Sequence, residues 1–163
     1  YLQTISDFKE LVTKVNRFIK DNLPRGTFFA GIFGIIDFPT NTIYYLNCGI
    51  PLMSMYINSY KNVIEIQGEG RVLGFVKNIA PFLKVRKITM HKGDVIVFTT
   101  DGLLEATNLK GDRFGSDRVG RILQENNSAK PSQIARTIYN NLLDFILRKI
   151  GDDVTILVLK YNE

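Results

Sequence analysis

Apolar and polar positions change period along this chain, and the period marks out its elements. Phe8, Leu11, Val12, Val15, Phe18 and Ile19 recur at steps of three and four, so one apolar stripe runs down a helix from about Ser6 to Asn22. Ser6 stands where a cap belongs, and Pro24-Arg25-Gly26 ends the segment. Runs of strand length follow. Thr27 to Asp37 and Thr42 to Cys48 flank the turn residues Phe38-Pro39-Thr40-Asn41. Leu52 to Ile57 and Asn62 to Gln67 flank Asn58-Ser59-Tyr60-Lys61. Each pair reads as a hairpin. Gly68-Glu69-Gly70 reads as a loop, Leu83 to Thr89 as a further strand, and His91-Lys92-Gly93-Asp94 as the turn into Val95 to Thr100.

The helical period then returns. Leu103 to Asn108 predicts a short helical turn, and Ser116 a cap for a helix carrying Val119, Ile122 and Leu123. Pro131 suits the start of a longer helix with Ile134, Ile138, Leu142, Phe145 and Ile146 on one face. Gly151 is placed to stop it, and Val154 to Lys160 is the last strand. Strands joined by tight turns pair antiparallel. The helices gather at the start and late in the chain instead of alternating with strands. The pattern specifies an α+β class, with helices packed on antiparallel sheets. No repeat or linker interrupts it, so residues 1–163 are expected to form one domain.

Composition narrows the class. A length of 163 residues allows a real core, and 45% hydrophobic with 23% charged residues suits a water-soluble globular protein. No apolar run is long enough to span a bilayer. Tyr1-Leu2-Gln3-Thr4 lacks the basic region and apolar stretch of a secretory signal, so a cytoplasmic location without membrane contact is expected. The chain does not begin with Met and reads as part of a longer polypeptide. Its one cysteine, Cys48, excludes an internal disulfide and a cysteine-based zinc site, and suits a buried apolar position. The lone His91 lies in a turn signal and reads as a surface residue. With one His and one Cys, no Ser-His or Cys-His nucleophile system is indicated. The net charge is +5, but Lys9, Lys14, Arg17, Lys84, Arg86, Arg113 and Arg121 are scattered. They form no basic stripe interleaved with aromatics, so no nucleic-acid partner is expected.

The candidate chemistry lies at two strand ends. Val95-Ile96-Val97-Phe98-Thr99-Thr100 runs into Asp101-Gly102, and Gly151-Asp152-Asp153-Val154-Thr155 opens the last apolar run. Carboxylates at the ends of two strands are the seed of an oxygen-ligand site for Mg²⁺ or Mn²⁺. Asp-Gly is also a common turn dipeptide, so these residues alone leave a plain turn reading open.

Taken in order and spacing, several segments resemble the metal-dependent (PPM-type) Ser/Thr protein phosphatase family, in its bacterial sporulation stage II and sigma-factor-regulator branch. Gly93 to Asn108 resembles the family's strand, Thr-Asp-Gly and Glu-Ala-x-Asn turn. Gly111-Asp112-Arg113-Phe114-Gly115 resembles its Gly-x-x-Phe-Gly segment, and Asp152-Asp153-Val154-Thr155 its Asp-Asp-x-Thr ending. Asn47-Cys48-Gly49-Ile50-Pro51 resembles an Asn-Ala-Gly-His-x-Pro segment, with Ile50 where the branch usually has His. The resemblance covers nearly the whole chain.

It implies a four-layer α-β-β-α arrangement, an antiparallel β-sandwich flanked by helices, and N-terminally incomplete in this chain. It further implies two Mn²⁺ or Mg²⁺ ions sharing a water that attacks a phosphoserine or phosphothreonine directly. By position, Asp101 and Asp152 match metal ligands, and Asp153 beside them is the third residue expected at the metal site. Gly102 and Thr155 would shape the site, and Glu105 would be structural. No catalytic residue beyond the metal ligands is implied. The implied partner is a phosphorylated regulatory protein, an anti-sigma-factor antagonist. The family's first metal motif, a Gly-Asp-x-x-Gly type segment, would precede the opening helix and is not among these residues. The chain alone is therefore expected to bind metal weakly, turn over little substrate, and expose an apolar edge that favours strand pairing or a homodimer. The competing reading is a non-catalytic, phosphatase-derived binding or regulatory module. The absent motif and Ile50 favour it; the retained Asp101, Asp152 and Asp153 oppose it.

Overall fold

The computed structural model describes residues 2–147 and 151–162 of the 163-residue chain. Two compact units emerge, one from Tyr1–Ile50 with Gly68–Met90 and the other from Pro51–Gln67 with His91–Glu163.

The first unit holds α1 (Leu2–Asn22), β1 (Gly31–Asp37), β2 (Thr42–Cys48), a short 3-10 helix at Ala80–Phe82 and β5 (Arg86–Thr89). Its sheet has the order β1-β2-β5, antiparallel throughout, with Gly31 opposite Cys48 and Ile43 opposite Ile88. Phe8, Val12 and Ile19 of α1 pack with Leu46, Cys48, Leu73, Ile79 and Leu83. Leu11 and Phe18, from the same predicted stripe, stay exposed. Asn16 is fully buried on the helix yet satisfied: its Nδ2 donates to the Val76 carbonyl at 3.0 Å and its Oδ1 accepts from Gly74 N at 2.8 Å. One side chain thus fastens the helix to the 74–76 loop.

The second unit holds β3 (Leu52–Ile57), β4 (Asn62–Gln67), β6 (Val95–Thr99), α2 (Asp101–Leu104), α3 (Gly115–Asn126), α4 (Pro131–Phe145) and β7 (Ile156–Lys160). Its antiparallel sheet has the order β4-β3-β6-β7. β6 is central, so Val95, Ile96 and Val97 are all buried, as an unbroken β-branched run requires. Ile122 and Leu123 of α3 and Ile134, Ile138 and Leu142 of α4 close over Tyr56, Val95, Val97 and Val158. Two turns are knotted by Asp94, whose buried carboxylate accepts from Asn58 N and His91 N, both at 2.8 Å. At the same end of the ladder, where Lys160 pairs with Val95, the Lys160 ammonium donates to the carbonyls of Asn127, Ser128 and Ala129 at 3.0–3.1 Å, tying β7 to the α3–α4 connection.

Several element boundaries differ from the sequence expectation. α1 begins at Leu2, so Ser6 lies inside the helix and caps nothing; no residue between them breaks helical geometry. Ser116 is likewise inside α3, whose N-cap position is Phe114. Helix begins at Asp101 itself and ends at Leu104, where the expected turn runs from Leu103 to Asn108. The 105–114 segment closes instead as a loop, with Phe114 N donating to the Ala106 carbonyl at 2.8 Å. α4 stops at Phe145, and Leu147, not Gly151, takes the left-handed conformation beyond it (φ 49). The strand expected over Thr27 to Asp37 begins only at Gly31, although Phe29 still pairs with Leu73 as an isolated bridge. Likewise β5 begins at Arg86 instead of Leu83, and β7 at Ile156 instead of Val154.

Candidate metal centre

The two acidic segments come together where the β6–β7 ladder ends. Thr99 lies opposite Ile156, the last pair of that ladder. The chain beyond Thr99 turns into α2 and carries Asp101 as its first residue; the chain before Ile156 carries Asp152, Asp153 and Thr155. Thr100 continues the contact past the ladder. Its N–H donates to the Thr155 carbonyl at 3.3 Å, and its Oγ1 accepts from Thr155 N at 3.0 Å and donates to the Asp153 carbonyl at 3.2 Å.

Gly102 permits the close approach. It is buried, and a Cβ at this position would lie 2.3 Å from the Asp153 carbonyl oxygen and 3.4 Å from Asp152 Cβ. No side chain fits there, so the Asp-Gly pair is more than turn punctuation: glycine lets the Asp101 turn seat against the Asp152–Asp153 backbone.

Asp101 and Asp152 are both exposed. Each uses one oxygen locally: Asp101 Oδ1 accepts from Gly102 N at 3.0 Å, and Asp152 Oδ1 from Asp153 N at 2.8 Å. The remaining Oδ2 atoms have no protein partner among the described residues. Asp153 meets Thr100 through its carbonyl, and Thr155 through its main-chain N–H and carbonyl. A cavity of about 290 Å³ opens beside Asp152, with Glu105, Thr107, Leu142 and Ile146 in its wall. Glu105 forms an exposed ion pair with Arg113 at 3.3 Å, on the rim of the 105–114 loop.

The donor set can be tested against a divalent cation. Exposed carboxylate oxygens with free lone pairs are what Mg²⁺ and Mn²⁺ take, so the chemistry fits. The number is small. Among the described residues no group of three His, Cys, Asp or Glu side chains is placed to hold one ion. Asp101 and Asp152 could therefore offer only part of a coordination shell, with other oxygens needed to complete it.

The other singled-out residues do other work. Asn47 folds its own loop: its Oδ1 accepts from Gly49 N and Ile50 N at 2.9 Å, and its Nδ2 donates to the Ile50 carbonyl at 2.7 Å. Ile50 is buried. Cys48 is fully buried, and desolvation pushes its thiol up to about 11. His91 is a surface residue, its ring 3.5 Å from the Asp94 carboxylate. Thr100 had drawn no role from the sequence, because a Thr at a strand end looks like ordinary β-propensity; only the fold shows what its hydroxyl spans.

A family profile described as Stage II sporulation protein E (SpoIIE) matches residues 1–162. The chain belongs to the SpoIIE family. Among relatives of that family member, phosphoserine phosphatase RsbU of Bacillus subtilis (strain 168) is 22% identical over 153 residues, 93% of this chain and 44% of RsbU. The chain thus spans less than half of that relative's length. Two solved structures show the same fold. The PP2C phosphatase domain with a fragment of the regulatory domain of SpoIIE from Bacillus subtilis has a TM-score of 0.78 at 18% identity, over 94% of this chain and 45% of that one. The RsbU and RsbW domains of Rv1364c from Mycobacterium tuberculosis give 0.76 at 23% identity, over 94% and 41%. This SpoIIE-family chain is a PP2C-like domain of α+β class, with antiparallel sheets and helices. Phosphatases of the PP2C type are metal-dependent. Among the described residues no helix is long and apolar enough to cross a membrane.

Proposed function

We propose that this chain is the catalytic domain, or the larger part of it, of a metal-dependent Ser/Thr phosphoprotein phosphatase. The substrate would be a phosphorylated regulatory protein, an anti-sigma-factor antagonist or a signalling protein like it. One observation carries the reading: Gly102, seated on the Asp152–Asp153 backbone, places the Asp101 and Asp152 turns side by side at the end of β6 and β7. The SpoIIE family match supports it. Asp101 and Asp152 are the residues that would hold Mn²⁺ or Mg²⁺. Bound there, the metal supplies a nucleophilic water at neutral pH and neutralises charge building on the phosphoryl oxygens. Gly102 keeps the two turns in contact, and the Asp153 and Thr155 main chains anchor Thr100. Water and further oxygen donors would complete the shell.

The test is phosphate release from a phosphoserine-bearing protein by the full-length polypeptide, with Mn²⁺ or with EDTA. Release is expected with Mn²⁺, lost with EDTA, and reduced about 100-fold or more in Asp101→Asn. Loss of a mere outer-shell partner already costs roughly 10–100-fold. A folded protein that neither binds Mn²⁺ nor releases phosphate would favour a phosphatase-derived binding module. That second reading draws on the absence of a three-residue ligand group among the described residues.

A further inference from the structure

We propose that Thr100 is the positioning residue of the metal centre, its hydroxyl setting how tightly Asp101 and Asp152 hold their cation together. The inference rests on the metal-dependent phosphatase reading and deepens it. Asp101 and Asp152 have only local restraints, since each carboxylate accepts a hydrogen bond from the residue that follows it. Neither bond fixes one turn relative to the other. The ladder that would do so ends at Thr99 and Ile156. Past that point one long main-chain bond, Thr100 N–H to the Thr155 carbonyl at 3.3 Å, is joined by the two shorter ones of Thr100 Oγ1, to Asp153 O at 3.2 Å and from Thr155 N at 3.0 Å. They span 53 and 55 residues of sequence.

A hydroxyl has one proton and two acceptor sites, and this geometry uses it both ways at once. The proton goes to Asp153 O, which fixes the peptide just after Asp152. The oxygen takes Thr155 N–H, which fixes the start of β7. Thr100 itself is the residue before Asp101, in extended conformation (φ −80, ψ 163). One side chain therefore ties the residue preceding the first ligand to the residue following the second. Gly102 sets how near the turns lie, and Thr100 sets their register. A cation bridging both turns gains from having that register fixed beforehand, because less ordering remains to be done on binding.

Val has the shape of Thr without the hydroxyl, and Ser keeps the hydroxyl without the methyl. Mn²⁺ affinity should be measured on the full-length polypeptide by the loss of the free-ion electron paramagnetic resonance signal. The proteins are wild type, Thr100→Val, Thr100→Ala, Thr100→Ser and Asp101→Asn, each with its thermal midpoint in EDTA. The expected result is a loss of Mn²⁺ affinity of roughly 10–100-fold in Thr100→Val and Thr100→Ala, the range of residues that orient a ligand. The Mn²⁺ concentration for half-maximal phosphate release should rise by the same factor. Thr100→Ser should recover most of the affinity. Affinity unchanged in whichever hydroxyl-free variant folds, even with a lowered midpoint, would overturn the proposal and leave Thr100 a turn-stabilising residue. In that case wild type still binds and Asp101→Asn still does not, so the phosphatase reading survives. No Mn²⁺ binding by wild type would instead overturn that reading and this inference with it.

Discussion

Gly102 and Cys48 show how much a single position decides. In Gly102→Ala the new Cβ would meet a backbone carbonyl, which cannot swing aside as a flexible side chain would. Overpacking of this kind costs about 1–3 kcal/mol. We expect a urea midpoint lowered accordingly, and Mn²⁺ binding lost together with it as the two turns part; a variant as stable and as metal-competent as wild type would mean that the turns are not in contact. Cys48 gives a pH signature. Its thiol ordinarily titrates near 9.0, and burial raises it to about 11 in the folded chain. Above 9.0 the unfolded chain releases this proton while the folded chain keeps it, so stability falls as pH rises from 9 towards 11. The unfolding free energy of wild type relative to Cys48→Ala should shrink across that window and stay constant below it. A thiol reagent at pH 8 should label Cys48 only after denaturation.

Turns were easier to read from sequence than ends of helices. The bounds of β2, β3 and β4 follow from their flanking turn residues, because Asn41 and Lys61 take positive φ where the hairpins reverse. Ser6 and Ser116 illustrate the opposite case: capping residues also occur inside helices, and tertiary packing decides which one starts the helix. The shortened β5 and the Ala80–Phe82 turn come from packing of Ile79 and Leu83 into the first unit's core, which no local period reports. The approach of the Asp101-Gly102 and Asp152 turns was legible because residue type and strand-end position both pointed there. Thr100 was not, since its partners lie more than fifty residues away. Lys160 is a similar long-range case. Lys160→Met keeps the aliphatic stem but leaves three carbonyls without their donor. A loss of about 1–2 kcal/mol in urea unfolding is expected, the share of a partly exposed charged donor. No change would mean that water replaces the ammonium at no cost.

At the scale of the whole protein, the central claim is that Asp101 and Asp152 form one metal-dependent centre and not two independent acidic turns. Residues acting as a unit are non-additive when removed, whereas independent ones multiply. The most direct measurement is Mn²⁺-dependent phosphate release by the full-length polypeptide carrying Asp101→Asn, Asp152→Asn, or both. Either substitution alone is expected to collapse the metal-dependent rate, and the double variant to be no worse than the poorer single one. Single variants that keep most of the activity, or losses that multiply in the double variant, would contradict a shared centre.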